Sequence, residues 1–336
     1  MPMELLERTD QLAILHAATR RAAGGVGSVV LVSGEAGMGK SALLAHAFAS
    51  CTPHKARVLW GACDPLSTPR PLGAFHDIAR QAGGALLGAV TASAGREALF
   101  GAMFDELRRG APPTTMVVED AHWADEATVD LLTFLSRRIH QTPAVLVISY
   151  RDDEVGPAHP LRVLLGALSP DRVRRIALAP LSSQAVTSLA RAADRSPSHL
   201  HEITGGNPFF VTEVLASTRD TVPATVRDAV LSRIAGLSEG ARAIVELAAV
   251  VPSRIERWLV DELLSPTSSA IDECRARGIL HGDGDTLAFR HELARRAIED
   301  SLPRERRRVL HAKCVAALVA RDDHERLAAR LVHHAA

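Results

Sequence analysis

The stretch that most constrains this chain is Gly34-Glu-Ala-Gly-Met-Gly39-Lys40-Ser41, a match to G-x-x-x-x-G-K-[ST]. It follows Ser28–Ser33 (SVVLVS), a continuous β-branched run that reads as a buried parallel strand. It opens Ser41–Ser50, which reads as a helix. A strand that turns through glycines into a helix aims backbone N–H groups and a helix N-terminus at one point, a ready cradle for an anion. The backbone from Gly34 through Ala36, Gly37, Met38, Gly39 and Lys40 to Ser41 and Ala42 is therefore the predicted phosphate-binding loop. The Lys40 ammonium is placed to neutralise β- and γ-phosphates, and the Ser41 hydroxyl to bind Mg²⁺.

Such a loop needs a sheet beneath it, and the following sequence supplies one. Arg57–Ala62 (RVLWGA), Thr114–Glu119 (TTMVVE), Ala144–Tyr150 (AVLVISY) and Arg174–Leu178 read as strands. Leu72–Gln81, Arg96–Arg109, Glu126–His140 and Pro160–Leu168 read as helices, and the Gly/Ala-rich segment 83–95 as a loop. Strands alternating with helices predict an α/β domain with a mostly parallel sheet covered on both faces. After Pro180 the strand signal nearly stops. Ser182–Ala193, Asn207–Ser217, Pro223–Ala235 and Ser238–Val250 have helical spacing, with Ser182 and Ser238 as N-cap types. Two short apolar runs around Gly-Asp-Gly-Asp, in ILHGDGDTLAF, signal a hairpin among those helices, as in a winged-helix module. Boundaries near Pro180 and Leu237 divide the chain into 1–180, 181–236, 237–310 and a helical stretch 311–336. That last stretch ends within a helical pattern, which reads as a longer protein cut short.

Three further constellations carry chemistry. Glu119 and Asp120 end the VVED run, where two acids are costly unless they have a role. Glu119 is assigned to the metal and Asp120 to activating water; the competing reading is two acids capping the helix from Glu126. Arg151 lies just past the fourth strand, at the strand ends where ligands bind in such folds. It either reads a γ-phosphate or pairs with Asp152 or Asp153. In Gly205-Gly206-Asn207-Pro208-Phe209-Phe210, Asn207 suits an N-cap and Pro208 the first helical position, which needs no ligand.

Composition excludes several classes. The 336 residues are 47% hydrophobic and 23% charged, which argues against extended disorder. Lys plus Arg is 39 and Asp plus Glu is 39, so no general pull toward nucleic acid or membrane is expected. Arg304–Arg308 reads as a solvated helix face, and His324, His333 and His334 with Asp322 and Asp323 match no trusted metal spacing. Cys51, Cys63, Cys274 and Cys314 form no C-x-x-C pair. With no signal-peptide pattern and no apolar run near ~20 residues, a cytoplasmic protein that does not enter membranes is expected.

Taken together the motifs resemble the STAND class of signal-transduction ATPases, related to AAA+ proteins, and within it the large ATP-binding regulators of the LuxR family. The resemblance runs from Leu5-Leu6-Glu7-Arg8 through GEAGMGKS, VVEDAHWADEATVDLL, SYRDDE and GGNPFF to FRHELARRAIEDSLPRERRRVLH. It implies a P-loop nucleotide-binding domain, a small helical domain and a winged-helix domain. Helical repeats and a DNA-binding C-terminal helix-turn-helix would follow, outside this sequence. It implies that Arg8 lies beside the adenine and ribose, that Pro208 packs near the adenine, and that His291 touches the β-phosphate of ADP. Glu119 departs from the usual Asp and Gln11 from a commoner acid. The implied function is a slow ATPase switch: ADP holds it closed, and ATP with an inducer or partner protein opens it for self-assembly. The alternatives are a motor-like AAA+ ATPase, with Arg137 or Arg138 as an arginine finger, or a nucleotide-dependent scaffold that never meets DNA.

Overall fold

The computed structural model describes residues 5–49, 57–65, 71–91, 95–110, 112–169, 171–217, 222–252, 254–282 and 284–320. They fall into two compact units, Met1–Ala179 and Pro180–Ala336.

The first unit runs α1 (Thr9–Ala23), β1 (Ser28–Ser33), α2 (Lys40–Ala49), β2 (Arg57–Ala62), α3 (Gly73–Ala82), α4 (Gly84–Thr91) and α5 (Arg96–Arg108). It continues β3 (Thr114–Glu119), α6 (Glu126–Arg138), β4 (Ala144–Tyr150), α7 (Leu161–Ala167) and β5 (Val173–Ala177). The sheet order is β2-β3-β4-β1-β5 and every pairing is parallel. Helices cover both faces, which is why the strands are unbroken apolar runs rather than alternating ones. Val30, Val32, Val117, Val145 and Val147 pack with Leu15 and Leu43 on one face. Val29, Leu31, Met116, Val118, Leu146 and Ile148 pack with Phe75, Ile78 and Leu131 on the other. Because β3, β4 and β1 are neighbours and parallel, their carboxyl ends meet at one edge. Gly34–Ser41, Glu119–Asp120 and Arg151 all leave from that edge.

The loop expected over 83–95 is instead largely helix α4. Gly83 ends α3, and the chain restarts as a helix with Leu86 buried in the core beside α3 and α5. Glycine content suggested a break, and between α3 and α4 that break is a single joint at Gly83. The last strand also begins one residue earlier than expected, at Val173.

The second unit runs α8 (Ser183–Ala192), α9 (Leu200–Thr204), α10 (Pro208–Ala216), α11 (Ala224–Ala235), α12 (Glu239–Ala249) and β6 (Arg254–Glu256). Then follow α13 (Arg257–Leu264), α14 (Ser268–Ala276), β7 (Leu280–His281), β8 (Thr286–Phe289), α15 (Glu292–Ser301) and α16 (Arg304–Val319). Ser182 and Ser238 cap α8 and α12, accepting from the Ala185 and Ala241 N–H groups. β7 and β8 form the antiparallel hairpin, and β6 joins β8 to give the order β6-β8-β7. Ile255, Leu280, Leu287 and Phe289 face one core, which runs from Phe210 through α12 to Cys314. In the arginine run, Arg306 pairs with Glu246 at 2.8 Å and Arg308 with Glu305 at 3.3 Å. The histidine–aspartate group of 322–334 lies outside the described residues. Among the described residues no helix is long and apolar enough to cross a membrane.

Candidate functional site

The loop after β1 holds Gly37 at φ 81° and Gly39 at φ 86°, the left-handed region open to glycine without strain. A side chain built on Gly39 would meet nothing within 4 Å, so the loop opens on free space there. Lys40 is buried, and its Nζ donates to the Gly34 and Glu35 carbonyls at 2.7 and 3.0 Å. Burial lowers its pKa and the Arg151 charge lowers it further, against Asp120, Asp153 and Asp152, which raise it. Lys40 and Arg151 are thus near enough to repel each other, with the three aspartates offsetting that repulsion. Ser41, the first residue after Lys40, is exposed.

Glu119 ends β3. Its Oε2 accepts from the Trp60 indole N–H at 2.7 Å, while its buried Oε1 has no hydrogen-bond partner. Burying a carboxylate oxygen unsatisfied is costly unless a cation or water completes it, so the residues present fit a hydrated divalent metal beside the loop. Asp120 follows at φ 52°, and its N–H donates to Ser149 Oγ at 3.2 Å. Burial raises its pKa, against Arg151 and Lys40, which lower it. A carboxylate held less acidic than usual is a better proton acceptor near neutral pH. Neither acid caps the next helix: that is Asp125, whose Oδ1 accepts from the Thr128 N–H at 3.0 Å.

Arg151 is paired with neither Asp152 nor Asp153 as the alternative reading had it. Its Nη1 donates to Glu154 Oε1 at 2.6 Å, and its guanidinium carbon lies 4.6 Å from the centre of the Trp123 ring. The Arg151 N–H donates to His122 Nδ1 at 3.4 Å. The His122 side chain is fully buried, and its Nε2 stands 3.6 Å from Glu154 Oε2. Burial pushes its pKa down to about 3 despite Glu154, so the ring is neutral. His122, Trp123, Glu154 and Trp60 were given no role from the sequence. Their residues were visible in AHWAD and SYRDDE, but their convergence depends on the sheet order.

Arg8 is buried before α1, its Nη1 donating to the Glu7 carbonyl at 3.1 Å and its Nη2 to the Ala179 carbonyl at 2.7 Å. Arg138 stacks 3.9 Å from the Phe134 ring centre, and Arg137 is exposed. Both end α6, whose 13 residues carry them roughly 20 Å from the strand-end edge.

In the second unit Pro208 is the first residue of α10, and buried Asn207 caps it by accepting from the Phe209 N–H at 3.1 Å. His291 stands at the N-cap position of α15, half-buried, with its ring 5.0 Å from Phe210 edge to face. A Cβ on Gly205 would stand 2.7 Å from His291 Nδ1, and one on Gly206 only 2.2 Å from the Leu181 carbonyl. GGNPFF and FRH are thus packed against each other, and the paired glycines permit it.

A parallel five-stranded sheet, a glycine-rich loop between the interior strand β1 and a helix, and acids at the end of β3, across the intervening β4, form an α/β fold like that of P-loop AAA+ ATPases. Residues 4–148 match the AAA ATPase domain family. An uncharacterized protein of Rhizobium meliloti is 27% identical over an alignment of 386 residues, covering 94% of this chain and 37% of that protein. The chain thus spans little more than a third of this curated relative. Among solved structures, a Walker-type ATPase of Pyrococcus abyssi is similar with a TM-score of 0.59 at 11% identity, covering 88% of this chain and 96% of that one. A STAND protein with a tetratricopeptide-repeat sensor from Pyrococcus horikoshii is similar with a TM-score of 0.43 at 18% identity, covering 94% of this chain and 45% of that one.

Proposed function

We propose that the chain is the adenine-nucleotide-binding part of a signal-transduction switch. One observation carries the reading: Lys40, Asp120 and Arg151 converge at one strand-end edge, close enough for each to shift the ionisation of another. There the loop backbone from Gly34 to Ala42, with Ala36, Gly37, Met38 and Gly39, holds the phosphates, and Lys40 neutralises them. Ser41 and Glu119 Oε1 hold Mg²⁺, which when bound offsets the phosphate charge. Asp120 orients the attacking water and accepts its proton on a carboxylate oxygen, and Arg151 reads the γ-phosphate. In this reading Arg8 serves the adenine and ribose, Pro208 the adenine, and His291 the β-phosphate of ADP.

The order α12-β6-α13-α14-β7-β8, with β8 central in the small sheet, supports a winged-helix module in the second unit. Its α14 carries Asp272 and Glu273 beside a single Arg275, so that helix offers no net positive charge to a DNA backbone. DNA contact is therefore assigned to a C-terminal domain beyond this sequence, as in LuxR-type regulators. ADP favours a closed state. ATP with an inducer or partner protein favours an open, assembling one, each through its differential contacts.

The test is the nucleotide carried by the purified protein, released by denaturation and counted per chain. Near-stoichiometric ADP supports the locked switch. An empty protein with fast, concentration-dependent turnover abolished by Arg138→Ala points instead to a motor-like ATPase. That second reading is favoured by Arg137, exposed at the end of α6 with no ion pair among the described residues. A full-length gene without a helix-turn-helix points to a scaffold.

A further inference from the structure

Arg151, the residue assigned to the γ-phosphate, is already engaged. Its Nη1 lies 2.6 Å from Glu154 Oε1, and both side chains are about four-fifths buried, at 20% and 19% exposure. Glu154 is three residues further along the same turn, so no rearrangement of the sheet is needed to make or break the pair. On its other side, Glu154 Oε2 faces His122 Nε2 at 3.6 Å, just beyond hydrogen-bond reach. His122 Nδ1 accepts from the Arg151 backbone N–H, so the ring proton is on Nε2 and points toward Glu154. That Nε2 is buried and has no hydrogen-bond partner. The Glu154 carboxylate therefore holds Arg151 and stands a few tenths of an ångström short of a second donor, His122.

We propose that Glu154 is an internal rival of the γ-phosphate for Arg151, and that His122 is the seat to which Glu154 moves when Arg151 is taken. The inference rests on the nucleotide reading above. The γ-phosphate and the Glu154 carboxylate compete for one guanidinium, and a diphosphate, lacking the γ group, does not compete. When Arg151 turns to the γ-phosphate, Glu154 closes the short gap to Nε2–H of His122, which satisfies both groups. Trp123 stacks on the guanidinium, with its ring centre 4.4 Å from that of His122. Glu154 is thus a positioning residue that sets the preference between ATP and ADP, and the turn 151–154 reports the γ-phosphate to the rest of the first unit.

The experiment compares ATP and ADP affinity of the full chain, with a non-hydrolysable ATP analogue and ADP as probes. Glu154→Gln keeps the shape and removes the charge. It should tighten the ATP analogue about tenfold and leave ADP unchanged, and the retained ADP binding also reports a folded site. Combined with Arg151→Ala, Glu154→Gln should have no effect on the analogue, because the contested cation is gone. His122→Phe removes the second seat and should weaken the analogue a few-fold without moving ADP. Equal shifts for both nucleotides in Glu154→Gln, or a gain that survives Arg151→Ala, would overturn the rivalry while leaving nucleotide binding intact. A wild-type chain that binds neither nucleotide overturns the nucleotide reading itself, and the rivalry with it.

Discussion

Lys40 of the first unit and Arg295 of the second are both buried cations, at 8% exposure each, and their surroundings treat them oppositely. Among the described residues Lys40 donates to two backbone carbonyls alone, and its pKa is lowered by burial and by Arg151. Burial disfavours the charge on Arg295 too, but Glu292 and Glu299 more than reverse that, and its pKa is raised. Its guanidinium donates to Glu292 at 2.8 Å, to Glu299 at 2.7 Å and to the Ala249 carbonyl, tying α15 to α12. A charge whose partners are all in the protein is a structural tie. A charge crowded by a second cation and left short of anions is arranged for something that arrives from outside. His122 and Asp120, both held toward their neutral forms, fall with Lys40; Glu292, held ionised by Arg295, falls on the other side.

The strongest way to break this contrast is Lys40→Ala. We expect nucleotide affinity to drop by ~100-fold or more with little change in thermal stability, since no carboxylate among the described residues forms an ion pair with Lys40. A variant that melts earlier but binds ADP normally would make Lys40 a structural residue. Asp120→Asn comes next: hydrolysis should fall by about 100-fold or more while the ATP analogue still binds, measured by phosphate release and by titration calorimetry. For the second unit the expectation reverses. Arg295→Ala removes the buried cation shared by two half-buried carboxylates and its bond to α12, and should destabilise that unit by about 2 kcal/mol, seen in denaturant unfolding, without changing the hydrolytic rate per folded chain.

Acid sharpens the same comparison. His122 is neutral in the folded chain down to pH about 3 but takes a proton near 6.5 when unfolded. Between those values the unfolded state binds more protons, so stability is lost as pH falls through that window. The loss should be on the order of 2 kcal/mol near pH 5, and His122→Phe should flatten that limb of the pH–stability curve. A limb unchanged by the substitution would show that the acid sensitivity lies elsewhere. His281 of the second unit, largely exposed on β7, also has a lowered pKa, through partial desolvation and the charges of Arg290 and Arg254, but with less to lose.

What the sequence disclosed follows the same division. The strands of the first unit were readable because both-face burial forces unbroken β-branched runs, and the phosphate loop because its spacing is chemical and local. α4 was not, since Gly84 and Gly88 resemble a loop until Leu86 is seen against α3 and α5. β6 was missed because three residues leave no periodicity to detect. Around the site, Glu119, Asp120 and Arg151 were found as types at strand ends. Glu154 was not separable in sequence from Asp152 and Asp153, since only the turn geometry selects which acid reaches Arg151. His122 gained its meaning from burial, which a single polar letter in AHWAD does not announce.

The smallest effect expected is at Trp60, and it tests how Glu119 is prepared. Where the resembling class has Asp, this chain has the longer Glu, and its Oε2 is held by the Trp60 indole across the β2–β3 pair. That single bond occupies Oε2 and leaves Oε1, the oxygen assigned to the metal in the proposed function, without a hydrogen-bond partner. Trp60→Phe keeps the packing against Phe48, whose ring centre is 6.4 Å away, and removes only the donor. It should cost about 1 kcal/mol of stability and raise the Mg²⁺ concentration needed for half-maximal hydrolysis by a few-fold. Its effect on metal-free nucleotide binding should be nil, because the indole reaches the phosphates only through Glu119. An equal loss with and without Mg²⁺ would mean that Trp60 supports the β2 edge rather than the carboxylate, and would move Glu119 to the structural side of the comparison.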